Sequence, residues 1–409
     1  MSARPAVAQA VLQTLDARVE ALRILSWWAA HTVDEGQGGF YGEVDAQGRP
    51  VPEADKGAVL NCRLLWFFSA VAHRYGRKDA LGLARRAYDY LLAHVLDPYH
   101  GGVYWSVDAL GRIADARKQA YAQAFFVYAL CEYYAATQDP LALDLARRLR
   151  DTIETVFWDV AFGGYVEAKS RDWGDFGDQR LSERDLDCPK TMNTHLHILE
   201  AYTRLYQVAP DAAAREALLR VTELFLTRFI DAAGRHLTLF FDMDWTDRTR
   251  CVSYGHDIEA SWLIWEAVET LGDAALTRRA RPIVLGLAES CRLEGLVKDA
   301  LAYERGFAGH LDEDGEWWEQ AEGLVGFVNA WQLTGDDAYA AAANRLWTRI
   351  TEDFNCGAGG EWTWYATHSP KPVQPLASLW KCPYHNGRAM LELDQRLKPF
   401  PKRGMHFSD

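Results

Sequence analysis

A short segment, Gly38-Gly-Phe-Tyr-Gly-Glu-Val-Asp-Ala-Gln-Gly48, returns 63 residues later as Gly101-Gly-Val-Tyr-Trp-Ser-Val-Asp-Ala-Leu-Gly111. Self-similarity at a long fixed period marks a repeat architecture, so this feature restricts the fold before any single residue is considered. Phe162-Gly-Gly-Tyr-Val-Glu167 follows about 62 residues on, and Gly359-Gly-Glu-Trp-Thr-Trp364 reads as a late copy. Gly234-Arg-His-Leu-Thr-Leu-Phe240 and Gly309-His-Leu-Asp-Glu-Asp-Gly-Glu-Trp317 stand between them in degraded form. Together they make six turns, each leading into a short strand.

Helical patterns flank each turn. Apolar residues spaced i, i+3, i+4 predict helices over Leu60–Tyr75, Ala80–Val95, Ala120–Thr137, Leu141–Val156, Thr194–Tyr206, Ala212–Ile230, Ile258–Leu271, Leu276–Gly286, Gln320–Thr334 and Ala338–Ile350. Asp97-Pro98, Asp139-Pro140, Ala209-Pro210-Asp211, Gly272-Asp273 and Gly335-Asp336 supply the breaks. Helix pairs joined by six strand-bearing loops predict an all-α fold, an (α/α)6 barrel with short β-hairpin loops at one end. An open solenoid would repeat without closing, and six units without polar caps favour closure. No linker or low-complexity segment divides the sequence, so residues 1–409 are expected to form a single catalytic domain; Lys398-Pro-Phe-Pro-Lys-Arg403 reads as an irregular end.

Composition narrows the partners. The net charge of −13 argues against nucleic acid or an anionic membrane. Seven cysteines (62, 131, 188, 251, 291, 356 and 382) form no C-x-x-C pair, and scattered thiols suit a reducing, cytoplasmic setting. Met1-Ser-Ala-Arg-Pro5 leads into an amphipathic pattern through Leu12, Leu15, Val19, Leu22 and Leu25, which does not read as a signal peptide. There is no apolar run long enough to span a bilayer. Sixteen Trp, 18 Tyr and 17 Phe beside many carboxylates and histidines suit a carbohydrate cleft, where rings cover sugar faces and polar groups hold hydroxyls.

Four polar clusters precede or begin predicted helices. Lys56-Gly-Ala-Val-Leu-Asn-Cys-Arg63 carries an arginine in an apolar run. Lys190-Thr-Met-Asn-Thr-His-Leu-His197 sets Asn193 and His197 on one helix face. Cys251-Val-Ser-Tyr-Gly-His-Asp-Ile-Glu-Ala-Ser261 places His256 and Glu259 on one face of a first turn. Trp380-Lys-Cys-Pro-Tyr-His-Asn-Gly-Arg388 carries His385. His195 and His197, two apart, suit a strand better than a helix. No H-x-x-x-H or C-x-x-C spacing supports zinc, so no metal is expected. Neither G-x-S-x-G nor a nucleotide loop is present, and no cofactor is expected. Glu259, Glu322 and Asp187 are candidates for a glycoside-hydrolase carboxylate pair. Three histidines with an arginine suit a different reaction. Removing a proton beside a carbonyl needs a base near neutral pKa and a cation for the enediolate oxygen. A second base on the opposite face can return the proton with inverted configuration.

In combination, Lys190-Thr-Met-Asn-Thr-His-Leu-His-Ile-Leu-Glu-Ala-Tyr202, Ser253-Tyr-Gly-His-Asp-Ile-Glu-Ala-Ser261, Trp380-Lys-Cys-Pro-Tyr-His-Asn386, Gly38-Gly-Phe-Tyr41, Lys56–Arg63 and Trp317-Trp-Glu-Gln-Ala-Glu322 resemble the cellobiose 2-epimerases of the N-acylglucosamine 2-epimerase superfamily. The likeness runs in order from about residue 35 to 390. It implies an isomerase that inverts C2 of a reducing-end sugar without a metal, acting on cellobiose or related β-1,4-disaccharides. His256 and His385 would be the acid/base pair, His197 a supporting histidine and Arg63 the enediolate cation. Tyr121 and Asn193 would lie beside the sugar, Glu259 and Glu322 would orient the histidines, and Trp318 and Trp380 would stack on sugar rings. Mannose isomerases and mannose 2-epimerases share the histidine set and remain an alternative; a glycoside hydrolase on the same barrel is another. Glu319 departs from the proline expected after the tryptophan pair, which bears on the shape of that loop.

Overall fold

The computed structural model describes residues 11–355 and 360–398. The tail from residue 399 and the glycine opening the sixth turn, Gly359, lie outside the described residues. Among the described residues twelve α-helices follow one another: α1 (Ala17–His31), α2 (Ala58–Tyr75), α3 (Lys78–Tyr90), α4 (Ala120–Thr137), α5 (Pro140–Thr152), α6 (Met192–Val208), α7 (Ala212–Thr227), α8 (Tyr254–Leu271), α9 (Ala274–Ser290), α10 (Trp317–Thr334), α11 (Asp337–Arg349) and α12 (His385–Arg396). The even-numbered helices form an inner ring. Each packs on the next, and α12 closes the circle against α10, α2 and α1. This is the (α/α)6 barrel expected from the repeat.

Composition separates the two rings. Every residue of α2 from Ala58 to Ala72 is buried, as is α4 from Ala120 to Tyr133. A helix apolar all round belongs inside a fold. The outer α3 buries only Ala80, Ala84, Ala87, Tyr88 and Tyr90, one stripe of a polar helix. Inner helices pass to outer ones through tight turns. Gly76, Gln138, Gly272 and Gly335 take the left-handed conformation at these C-termini. Asp139, Asp211, Asp273 and Asp336 then cap the next outer helix with a side-chain oxygen.

The opposite end carries the long loops. Outer helices α3, α5, α9 and α11 finish in a π-helical turn, and the chain enters a hairpin. Val33 pairs with Phe40, Leu96 with Val103, Trp158 with Tyr165, Ile230 with Leu237 and Asn355 with Trp362. Buried lysines fasten three hairpins to the start of the following inner helix. Lys56 Nζ lies 2.7 Å from Asp34 and 2.9 Å from the Gly38 carbonyl. Lys118 meets Asp97 at 3.2 Å and the Gly101 carbonyl at 2.7 Å, and Lys190 meets Asp159 at 2.6 Å.

The fifth hairpin differs from expectation. Leu296–Val297 pairs with Ala300–Leu301, and Lys298 and Asp299 make the turn at φ 50° and 64°. Gly309 (φ 92°) instead turns the next hairpin, Glu304–Gly306 with Leu311–Asp312. Two further helices, α1 and α12, complete the ten predicted. His195 and His197 both lie on α6, not on a strand. Among the described residues, six cysteines are free and no helix is long and apolar enough to cross a membrane.

Candidate active site

Inner helices start at the hairpin end, so their first two turns line the mouth of the barrel. Arg63, Phe125, His197, Glu259 and Glu322 are each the sixth residue of α2, α4, α6, α8 and α10. Tyr121, Asn193, Gly255 and Trp318 are each the second residue of α4, α6, α8 and α10. His385 and Arg388 enter from the first turn of α12. The repeat therefore stacks polar side chains in layers across the barrel axis.

The ten residues that the epimerase resemblance picks out fall in this one region; Asp187 does not. Arg63 Nη2 donates to the Tyr121 hydroxyl at 2.8 Å. Its guanidinium carbon lies 4.3 Å from the Phe125 ring centre and 4.5 Å from that of Tyr384. It is 2% exposed and has no carboxylate partner among the described residues, and its Nε is unbonded. A buried cation held by rings and a phenol is a charge kept for an anion. The Tyr121 ring lies 4.9 Å from His197 and 6.0 Å from Trp380, and Trp380 lies 5.9 Å from Trp105. Trp318 touches both remaining histidines, with centroids 4.9 Å from His256 and 5.4 Å from His385.

Three histidines keep Nε2 free of protein partners among the described residues, and each is fixed through Nδ1. His385 Nδ1 lies 2.7 Å from Glu322 Oε1, His197 Nδ1 3.1 Å from Glu200 Oε2, and His256 Nδ1 2.7 Å from Ser253 Oγ. A carboxylate at Nδ1 fixes the proton there and leaves Nε2 as a bare lone pair. His195 is the contrast. Its Nδ1 meets the Thr191 carbonyl at 2.6 Å and its Nε2 accepts from Tyr165 N at 2.9 Å, so both nitrogens are consumed in the wall.

Glu259 does not pair with His256, its neighbour on the same helix face. It receives Arg388 Nη2 and lies 3.9 Å from His385 Nδ1. Arg388 and Glu200 are the residues that the sequence did not single out for the site. From α12 its guanidinium reaches Glu200 on α6, Glu259 on α8 and Glu322 on α10, the last at 2.6 Å. Trp262 Nε1 donates to the other oxygen of Glu322 at 3.0 Å, and the Tyr384 hydroxyl donates to Glu200. Glu259, Glu322 and His385 offer atoms within 4.8 Å of one another, the spacing of a metal site. The Arg388 guanidinium already supplies that cluster with a cation. Glu200 could have been found in sequence as the His197 partner at i+3. Phe125 could have been found from its place in the sixth-residue layer.

Burial sets the ionisation of the site. It holds His256 down at about 3, with the His197 ring adding to the effect. It also holds His385 well below the usual range, with Arg63 and Arg388 acting the same way. Both imidazoles are therefore neutral in the empty site. Burial raises Glu259 to about 7, helped by Glu322 and opposed by Arg388. It works upward on Glu200 too, but Arg388 and His197 outweigh it and bring that carboxyl to about 2.

Two cavities adjoin these residues. One, about 50 Å³, lies beside Asn193 and His256 under Arg180, Leu181 and Asp185. The Asn193 Oδ1 atom is buried and unbonded. The other, about 350 Å³, is lined by Arg184, Tyr303, Glu316, Tyr365 and Lys371. Trp318 Nε1 donates to Glu316 at 3.1 Å and so links it to the histidines. Arg184 reaches over from the segment between Lys169 and Lys190 to bond Glu316 at 3.1 Å. Asp187 sits exposed on that segment, accepting from Gln179 N at 2.9 Å, and does not join Glu259 and Glu322. Glu319 packs in the first turn of α10. A Cβ at Gly255 would lie 2.4 Å from its Cγ and 2.5 Å from Trp318, so only glycine fits there.

The family profile of the N-acylglucosamine 2-epimerases (GlcNAc 2-epimerase) matches residues 39–389. The chain belongs to this family. A cellobiose 2-epimerase of Bacteroides fragilis is 44% identical over 375 residues, 91% of this chain and 95% of the relative. That of Dictyoglomus turgidum is 38% identical over 379 residues, 92% and 96% of the two chains. The solved cellobiose 2-epimerase from Bacillus thermoamylovorans superposes with a TM-score of 0.89 at 38% identity, covering 94% of this chain and 99% of that one. This N-acylglucosamine 2-epimerase family member is thus a carbohydrate epimerase of the isomerase class. A D-mannose isomerase structure (TM-score 0.80, 17% identical) and a family 76 α-mannanase of Bacteroides thetaiotaomicron (TM-score 0.63, 12% identical) share the fold.

Proposed function

We propose that this enzyme inverts C2 of the reducing-end glucose of cellobiose or a related β-1,4-disaccharide, giving the mannose-ended epimer through an enediolate. The observation that carries this reading is the pair His256 and His385. Each presents an unbonded Nε2 and flanks Trp318, with the unpaired Arg63 guanidinium in the same mouth.

After ring opening, a bare Nε2 removes the C2 proton and its electron pair moves onto O1. Arg63, which has no carboxylate partner among the described residues, holds the enediolate oxygen with Tyr121 beside it. The other histidine, which has taken up a proton from solvent at its Nε2, delivers that proton to the opposite face of C2 and returns to neutral, and the first ring releases its proton to solvent. From glucose to mannose one ring is base and the other acid; the reverse reaction exchanges them. The enediolate charge supports protonation of rings that are neutral at rest, and Glu322 at Nδ1 stabilises the His385 imidazolium. Trp318 and Trp380 offer faces for sugar rings. The polar cavity of about 350 Å³ beyond Glu316 supports a second sugar unit.

Return of the proton to C1 instead of C2 would make the enzyme an aldose–ketose isomerase, the activity named for a Thermobifida fusca relative 26% identical over 382 residues. A hydrolytic reading is disfavoured, because Glu259 and Glu322 both bond the same Arg388 nitrogen. Incubation with cellobiose in D2O, followed by product analysis and NMR at C2, tests the proposal. Deuterium at C2 with a mannose-ended product is expected. No exchange with cellobiose, lactose, glucose or mannose would refute it, and a ketose product would select the isomerase.

A further inference from the structure

Resting on that reading, we infer that Arg388 is a positioning residue that sets the proton affinity of His385 through the carboxylates it holds. It does not face the mouth of the barrel. It lies one turn behind His385 on α12 and is 1% exposed.

Its contacts have a definite polarity. One nitrogen, Nη1, serves Glu200 and the Tyr384 hydroxyl. Glu200 in turn fixes His197 Nδ1 at 3.1 Å. The other nitrogen, Nη2, serves Glu259 and Glu322, and Glu322 fixes His385 Nδ1 at 2.7 Å. A single planar fork thus backs two of the three site histidines through their own carboxylate partners, joining α6, α8, α10 and α12. Only a guanidinium has donors on two edges at this spacing; an ammonium is a point charge that satisfies one edge at a time.

Charge arithmetic gives the arginine a chemical role beyond fastening helices. Glu200, Glu259 and Glu322 are three buried carboxyls around one buried cation. The other titratable groups facing His385 are Arg63 from α2, His197 from α6, His256 from α8 and Tyr384 just before α12. Without the guanidinium, the carboxyls must gain protons or find another cation. The nearest candidate is His385 itself, 2.7 Å from Glu322 and 3.9 Å from Glu259. An imidazole that takes up a proton at rest has no lone pair for C2. Arg388 therefore keeps His385 neutral while leaving Glu322 able to stabilise the imidazolium once it forms.

The test is the pH dependence of kcat/KM for C2 exchange on cellobiose, measured for the wild type, Arg388→Met and Arg388→Lys, with Tm recorded for each. In Arg388→Met the acid limb, which reports protonation of the free enzyme's base, should move to higher pH by about one unit or more. Arg388→Lys keeps the charge and loses one edge; kcat should fall by about tenfold, with a smaller upward move of the limb. Adding Glu259→Gln to Arg388→Met removes one carboxyl with the cation and should bring the limb back toward its wild-type position. A merely structural role would lower the active fraction and Tm and leave the limb where it was. Folded Arg388→Met with an unmoved limb overturns the inference. Should that variant not fold, Arg388→Lys with wild-type kcat and limb overturns it. If the wild type exchanges no deuterium, the functional reading fails instead, so the two failures are distinct.

Discussion

Replacing Glu322 by glutamine changes one atom and, in this site, three bonds. The carboxylate accepts at Oε1 from His385 Nδ1 (2.7 Å) and Arg388 Nη2 (2.6 Å), and at Oε2 from Trp262 Nε1 (3.0 Å). All three neighbours donate, and the glutamine amide can accept on one side only. With its NH2 toward Trp262, two buried donors face each other, at a cost of about 1–3 kcal/mol. With its NH2 toward His385, the imidazole must move its proton to Nε2, and the base is lost. A tautomer switch of this kind is worth about 10⁴ in rate where a histidine is the base. In the milder orientation, a neutral bond replaces a charge-assisted one beside the imidazolium. That raises the barrier by about 1–2 kcal/mol, or about 5- to 30-fold in kcat. Glu322→Gln should thus lower kcat for cellobiose at least fivefold, with little change in KM, and lower Tm by several degrees. Steady-state kinetics with scanning calorimetry measure both. A variant within twofold of wild-type kcat and at wild-type Tm would show that the Glu322–His385 bond has no part in proton transfer.

His256→Ala and His385→Ala should each reduce C2 exchange by about 10²–10⁴-fold, whereas His195→Ala should lower Tm and leave kcat of the folded enzyme near wild type; equal losses for all three would contradict the division between site and wall. Glu319 is fully buried with both oxygens unbonded, and burial together with Glu316 holds its pKa well above the usual range. A carboxyl raised in the fold favours folding below its unfolded pKa and opposes it as pH rises through the folded value. Glu319→Leu should therefore raise Tm, by more at pH 8 than at pH 5, and a gain independent of pH would refute the assignment. Lys118→Met leaves Asp97 buried beside Arg171 alone and should cost about 3–5 kcal/mol, read by chemical denaturation.

Much of this architecture is legible in sequence because its constraints are local. Glycine pairs that need positive φ announce the hairpins at Gly38, Gly101 and Gly163. The fifth hairpin was misplaced because Lys298 and Asp299 adopt the left-handed region that the eye assigns to glycine. Helix α12 escaped because it has 12 residues and begins directly after Pro383-Tyr384, which reads as a turn. The site histidines, Arg63 and Trp318 stand out as residue types in the first two turns of inner helices, and Trp380 in the loop before α12. Sequence also names Glu259 and Glu322 as groups that orient the histidines, but not Arg388 or Glu200, since Arg388 meets all three glutamates across three helices far off in sequence. The same i, i+3 spacing joins His197 to Glu200 but not His256 to Glu259: Arg388 holds both carboxylates, and His256 Nδ1 meets Ser253 Oγ at 2.7 Å instead.

The ring closes where its last inner helix meets its first pair, α12 against α1 and α2. That seam has a consequence for biogenesis. Arg63 lies on α2 and His385 on α12, so a chain that lacks α12 cannot bring the two together. A ribosome-bound chain that stops before α12 presents the apolar flanks of α2 and α10 to water, without the guanidinium that gathers the three glutamates. Docking of α12 therefore completes both the ring and the cluster of buried carboxylates, and a chain stalled short of it keeps exposed the kind of apolar surface that favours aggregation.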